Sequence, residues 1–315
     1  QRQMCIRDSL THERQWRGGE TVVAFGMFDG VHNGHKALLA SLTDHARQLG
    51  LSPTVVTFRN HPRELTASQN IRLLTGLDER LSLLSSQGVS EVILLDFDSR
   101  LRMLSAEQFM TMLSHDYDVK ALVIGFNNRF GHDRPDSIEQ YRQLGSLIGM
   151  EVFAADRFSS AATDNVSSST VREMLRQGNV KDASTLLGHN YSITGTVEHG
   201  KALGRTIGFP TANLRPDNPR RVIPANGVYA VSVILPDGKK LPGMLNIGHR
   251  PTVDSPDAPP SIEVHIINFD GNLYDQEITV EFISFMRKEQ AFASIGLLQQ
   301  QLIKDAAEAS RLAGA

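Results

Sequence analysis

Between residues 21 and 155 the chain alternates two hydrophobic rhythms. Nearly unbroken apolar runs, TVVAFGMF (21–28), SPTVVTF (52–58), VSEVILLDF (89–97), KALVIGF (120–126) and MEVFAA (150–155), have the length of buried strands. Between them lie stretches with apolar residues at helical spacing: HKALLASLTDHARQLG, LDERLSLLSSQG, LSAEQFMTMLS and PDSIEQYRQLGSLIG. The first two end in glycine, a C-terminal stop, and Ser105 and Gln108 stand at capping-box spacing. Buried strands separated by amphipathic helices predict an α/β unit with a parallel, doubly wound, Rossmann-like sheet. Such sheets bind ligands beyond the carboxyl ends of their strands.

After about residue 190 the rhythm changes. Short runs punctuated by Gly, Pro, Asn and Asp follow one another: YSITGTVEHG, GVYAVSVIL, LPGMLNIG, SIEVHIINF and EITVEFISFM. They predict a small antiparallel β-barrel or sandwich, closed by one amphipathic helix in SIGLLQQQLIKDAAEASRLAG. The boundary is expected near LLGHNY, giving domains 20–188 and 189–315. Residues 1–19 are read as a leader outside the fold, since QRQMCIRDSL carries neither rhythm; a packed, buried Ile6 would contradict this.

Composition narrows the picture. Lys+Arg 32 against Asp+Glu 35 gives a net charge of −3 without long single-sign runs, which argues against a nucleic-acid partner. One cysteine excludes an internal disulfide and Cys-based zinc sites, and fits a reducing, cytoplasmic setting. No apolar stretch reaches the roughly 18–20 residues that span a bilayer, so no membrane partner is expected. The oligomeric state is open.

The first concentration of chemistry is FGMFDGVHNGH at 25–35. Gly26 and Gly30 would let the backbone approach a ligand, in a loop that leaves a strand near Phe28. The following helix presents its N-terminal amides to an anion. His32 and His35, three apart, can project to one side and donate to phosphate oxygens. A turn with two solvated histidines is the plain alternative. A two-histidine metal site lacks a third ligand at usable spacing. The second is VSSSTVREML at 166–175, where Ser167, Ser168 and Arg172 stand at a helix start and could bind phosphates, or could simply cap a helix.

The third is HGKALGRTIGFPTANL at 199–214. Glycines at 200, 204 and 208 suggest a loop over phosphates, although a glycine-rich hairpin has the same pattern. Thr211 and Asn213, in what reads as an irregular turn, are oxygen donors suited to Mg²⁺ held with nucleotide phosphates.

Together these motifs resemble a known family. HxGH in a first βα loop with a later ISSTxxR-like segment resembles the nucleotidyltransferase superfamily. FGMFDGVHNGH, GFNNRFG (125–131) and VSSSTVR resemble the adenylyltransferase module of the bacterial bifunctional riboflavin kinase/FAD synthetase family. GRTIGFPTANL, NIGHRPTV (246–253) and residues 262–292 resemble its riboflavin kinase module. The likeness covers nearly all of residues 20–305.

The resemblance implies ATP-dependent phosphorylation of riboflavin to FMN, then transfer of AMP from ATP to FMN, giving FAD and pyrophosphate, with Mg²⁺ in both steps. It implies that His32 and His35 hold the reacting phosphates, with Gly26, Phe28, Asp29 and Gly30 in the nucleotide loop. Ser167, Ser168 and Arg172 would grip pyrophosphate, and Asn127 would meet the flavin. In the kinase half, Gly200, Gly204 and Arg205 would contact ATP, and Thr211 and Asn213 the metal. Glu263 would be the catalytic carboxylate and Arg287 would lie near the flavin. Read structurally, Glu263 could be an edge-strand surface residue and Arg287 a salt-bridge partner. Met27, Asn60, Ser169 and Asn128 depart from the family pattern. Two alternatives stand beside this reading: one surviving activity, or a non-enzymatic flavin carrier.

Overall fold

The computed structural model describes residues 18–65, 71–126, 128–155, 166–200, 203–248 and 260–314. The leader segment, Ile6 included, and Asn127 lie outside them. Packing divides the chain into two compact units, residues 1–71 with 77–166, and residues 72–76 with 167–315.

The first unit is a parallel sheet of β1 (Thr21–Phe25), β2 (Ser52–Phe58), β3 (Glu91–Leu95), β4 (Val119–Ile124) and β5 (Glu151–Ala154), in the order β3-β2-β1-β4-β5. The helices α1 (Asn33–Leu49), α2 (Leu77–Ser86), α3 (Ser99–Met103), α4 (Ala106–Tyr117) and α5 (Ile138–Leu147) connect the strands. Val22 and Ala24 pack with Leu38, Leu39 and Leu42 of α1, while Val23 packs with Met110 and Leu113 of α4. Alternate strand residues thus feed two cores, which is why the runs read as apolar throughout. The expected stops hold: Gly50 ends α1 with φ +69°, and Ser105 and Gln108 form a capping box. Strand order reverses between β1 and β4, so the loops after these strands flank the switch point.

The second unit holds α6 (Ser168–Arg176), α7 (Val180–Leu187) and a closed barrel. Its strands are β6 (Ser192–Glu198), β7 (Ala212–Pro216), β8 (Gly227–Ile234), β9 (Lys240–Gly248), β10 (Ser261–Ile266) and β11 (Glu277–Arg287), in the order β10-β7-β6-β11-β8-β9. All pairings are antiparallel. The one-turn α8 (Leu203–Thr206) lies between β6 and β7, and the terminal helix is α9 (Ile295–Leu312). Segment 72–76 joins this unit because the Leu73 N–H donates to the Arg220 carbonyl at 2.7 Å and the Leu73 carbonyl accepts from Val222 at 2.9 Å.

Three local expectations change. β1 stops at Phe25, not Phe28, because Phe28 takes a left-handed φ of +51° that no strand accommodates. The stretch around PTAN is not an irregular turn: Ala212 begins β7, paired to β6 and β10. The glycine-rich stretch before it contains the α8 turn, where a Cβ on Gly204 would sit 2.1 Å from the Phe209 carbonyl.

Candidate active sites

In the first unit, β1 ends against a strained turn. Phe28, Gly30 and Val31 all have positive φ (+51°, +82°, +39°), and the two non-glycine residues cost about 1–3 kcal/mol each in such a conformation. Their side chains are fully buried, and this packing offsets the strain. Phe28 can therefore offer a ligand only its backbone; its ring packs on His35. A Cβ on Gly26 would lie 3.2 Å from the Phe28 ring, so this glycine makes room for that ring.

The turn delivers His32 to the N-cap of α1. Its Nδ1 accepts the backbone N–H of His35 at 3.3 Å, which leaves the proton of the neutral ring on Nε2. The His32 and His35 rings stack with centroids 3.6 Å apart and planes 14° apart. The glycine of HxGH has a steric reason: a Cβ on Gly34 would press to 3.2 Å from the His32 ring. His35 is held well below the ordinary imidazole range, first by burial and second by the neighbouring His32 charge. At neutral pH it is an uncharged imidazole, and its buried Nδ1 has no hydrogen-bond partner among the described residues.

Arg80, on α2, lies behind this turn and was missed in the sequence. It is buried, with Nη2 donating to the Phe58 carbonyl at 2.5 Å and Nη1 to the Met27 carbonyl at 3.3 Å. Burial lowers its pKa, and the charge of the buried Asp29 acts in the opposite direction. Asn60 was noted only as a departure. Its amide pairs in both directions with the backbone of Phe97, at 2.8 Å each way, and so extends the β2–β3 ladder by one side chain. Asn128 likewise donates to the Phe25 carbonyl.

These contacts frame a cavity of about 700 Å³ beyond the carboxyl ends of β1 to β4. Phe25, Phe58, Phe97, Phe109 and Phe130 line it, with Asn128 and the cations Arg63, Arg102, Arg129 and Arg134. Ser167, the N-cap of α6, accepts the Thr170 N–H at 3.1 Å, and Ser168 opens the helix. The buried Arg172 donates through Nε to the Arg72 carbonyl at 2.7 Å, within the second unit.

In the second unit a cavity of about 400 Å³ lies against the barrel, lined by Thr211, Asn246, Glu263, His265, Arg287 and Glu289, and by Leu298 and Leu302 of α9. Ile262, Val264 and Ile266 are buried, so Glu263 and His265 occupy the opposite face of β10. Strand register aligns Asn213 of β7, Glu263 of β10 and Asn246 of β9 in one row. A Cβ on Gly200 would fall 2.0 Å from the Asn213 amide nitrogen, so any side chain there would have to displace the Asn213 amide. Arg205, on α8, is exposed.

The unit-wise arrangement has counterparts among known proteins. A family model described as FAD synthetase matches residues 14–170, and one described as riboflavin kinase matches residues 187–313. The bifunctional riboflavin kinase/FMN adenylyltransferase of Escherichia coli (strain K12) is 39% identical over 288 residues, 90% of each chain. That of Pseudomonas fluorescens is 39% identical over 293 residues, 93% of each.

The chain belongs to the bifunctional riboflavin kinase/FMN adenylyltransferase family.

It is a transferase of two steps, making FMN from riboflavin and ATP, then FAD from FMN and ATP. A solved chain titled macrolide-efflux protein, from Streptococcus pneumoniae, matches with a TM-score of 0.86 at 32% identity, over 94% of this chain and 95% of its own. Among the described residues here, no helix is long and apolar enough to cross a membrane.

Within this bifunctional enzyme, Arg287 has a structural task. Its guanidinium forks onto Asp305 of α9, with Nη2 2.6 Å and Nε 3.0 Å from Oδ2, and Gln301 donates to Oδ1 at 2.8 Å. It lines the cavity with its charge already engaged. The sequence reading also missed Glu289, whose carboxylate accepts the Asn246 amide at 3.0 Å on the same cavity. An acid two residues beyond Arg287 in RKEQ was the available signal.

Proposed function

We propose that each reaction is completed within its own half of the sequence, adenylyl transfer by residues 20–188 and riboflavin phosphorylation by residues 189–315. The observation that carries this reading is the stacked His32–His35 pair at the N-cap of α1, in which His35 is an uncharged imidazole at neutral pH. Neutral imidazoles and helix amides donate hydrogen bonds to phosphate oxygens without holding the product by charge. An oxygen of the FMN phosphate attacks the α-phosphorus of ATP, and the bond to pyrophosphate breaks. The nucleophile is already anionic, so no protein base is required, and the protein contributes alignment and charge stabilisation. Gly26, Phe28, Asp29 and Gly30 supply the nucleotide loop. The aromatic walls of the larger cavity suit a flat isoalloxazine ring, with Asn128 at its edge; Asn127 is assigned to the flavin on its sequence motif alone. Ser167, Ser168 and Arg172 are assigned to pyrophosphate on their sequence motif.

In the kinase half the nucleophile is the 5′-hydroxyl of riboflavin, which must lose a proton as it attacks the γ-phosphorus of ATP and the bond to the leaving ADP breaks. Glu263 accepts that proton. Gly200, Gly204 and Arg205 face the ATP phosphates, and Arg287 holds the flavin side of the cavity through its tie to α9. Among the described residues no cluster of three His, Cys, Asp or Glu could cage a metal. The Thr211 hydroxyl and Asn213 amide, beside the Glu263 carboxylate, fit Mg²⁺, which keeps waters and substrate phosphates as its other ligands. When bound, Mg²⁺ neutralises phosphate charge. The single cysteine fits a reducing compartment, and we place both steps in the cytoplasm.

The test supplies each half-reaction separately and follows flavins and pyrophosphate by chromatography. FMN and ATP should give FAD and pyrophosphate in equal amounts, and riboflavin and ATP should give FMN before FAD. Conversion of riboflavin but not of added FMN would overturn the adenylyl-transfer assignment.

A further inference from the structure

We infer that Arg102 and Arg134 select the anionic flavin over neutral flavins at the larger cavity, by charge and not by shape. The inference rests on the reading of that cavity as the FMN site. Its lining carries four arginines and His132 but no Asp or Glu, in a chain whose net charge is −3. The neighbouring acids are occupied. Asp133 Oδ1 accepts the backbone N–H of Ala106, Asp98 Oδ1 that of Leu101, and Asp136 lies 3.5 Å from Arg129. Arg102 and Arg134 have no hydrogen-bond or ion-pair partner for their side chains among the described residues. Arg134 is also held at φ +42°, an uncommon conformation for a non-glycine residue, which fixes where its side chain leaves the loop.

Riboflavin and FMN share the ring that the five phenylalanines would hold, so aromatic packing alone cannot separate them. They differ by a phosphate carrying about −1.5 to −2 charges at neutral pH. Two guanidinium groups without a direct partner at the cavity raise the local concentration and encounter rate of the dianion and leave a neutral ring unaffected. The enzyme meets both molecules, because one is the substrate of its first step and the other the product. Charge selection at this cavity keeps unphosphorylated flavin from occupying it.

The test is the double variant R102Q/R134Q in the full chain, assayed for adenylyl transfer over a range of FMN and salt concentrations. We expect kcat/KM for FMN to fall by about tenfold with kcat unchanged, and its salt dependence to flatten. R102K/R134K should restore most of the loss. Lumiflavin, neutral and without a ribityl hydroxyl for the kinase to phosphorylate, is the shape probe; it should inhibit parent and variant equally. Equal lumiflavin inhibition and an unchanged kcat for adenylyl transfer report that the first unit is folded. Unchanged kcat/KM for FMN would overturn the inference, as would equal weakening of FMN and lumiflavin. Failure of lumiflavin to inhibit the parent enzyme would overturn the reading of the cavity itself.

Discussion

The two halves solve phosphate chemistry with opposite resources. In the first unit the proposed phosphate ligands, His32 and His35, come from one short turn, three residues apart and stacked, with His35 uncharged. Their placement depends on strained backbone at Phe28 and Val31 and on a buried arginine behind them. In the second unit the polar row Asn213–Glu263–Asn246 comes from three strands and is set by antiparallel register. In the reading proposed above, the difference follows the nucleophile. A phosphate oxygen needs only alignment, which a rigid turn provides, whereas a hydroxyl needs a base, which a strand holds beside the phosphate-binding groups.

The largest effects should separate the halves completely. His35→Ala should lower FAD formation from FMN by about 10²–10³-fold and leave riboflavin phosphorylation intact. Glu263→Gln should do the reverse, lowering FMN formation by about 10²–10⁴-fold. A variant that damaged both steps equally would dissolve the comparison.

The next effect is on stability. The Asp305 carboxylate is buried and receives Arg287 and Gln301, so Asp305→Ala leaves a guanidinium without its partner. It should destabilise the barrel half by about 3–5 kcal/mol in denaturant unfolding, with the kinase step failing at lower denaturant than adenylyl transfer. The counterpart in the first unit is smaller. Asn60→Ala removes two hydrogen bonds to Phe97, worth about 1 kcal/mol each, and should raise KM for FMN without altering the kinase step.

The smallest is a pH effect. The folded-state pKa of His35 lies well below its ordinary value of 6.5. As pH falls through 6.5 the unfolded chain takes up a proton that the folded chain does not. Stability is therefore full above 6.5 and declines below it, by at most about 1.4 kcal/mol per pH unit. His35→Gln should remove that part of the slope, measured by denaturant midpoints from pH 7 to pH 5.

What the sequence displayed depended on how local each feature is. HxGH, the capped helices and the buried strands are written in consecutive residues, and apart from the end of β1 they stand where expected. The strand nature of Ala212–Pro216 was hidden because Pro210, Thr211 and Asn213 around its start read as a turn, while its pairing comes from distant β10 and β6. Arg80 was hidden because helical periodicity places it on an apolar face, where a charge looks like noise until the carbonyls it reaches are known. Asn60 looked like a loss relative to the family pattern; its compensating bonds run to a backbone 37 residues away. The arginines of the larger cavity are spread from residue 63 to residue 134, so no sequence window shows them as a cluster.

The central claim is that one chain carries two complete and chemically independent sites. The most direct measurement mixes two purified inactive partners, the His35→Ala and Glu263→Gln variants, with riboflavin, ATP and Mg²⁺. Each alone should make almost no FAD. Together they should make FAD after a lag in which FMN accumulates in solution. Absence of FAD from the mixture, with each variant retaining its own half-reaction, would contradict the account and show that the two sites must act within the same molecule.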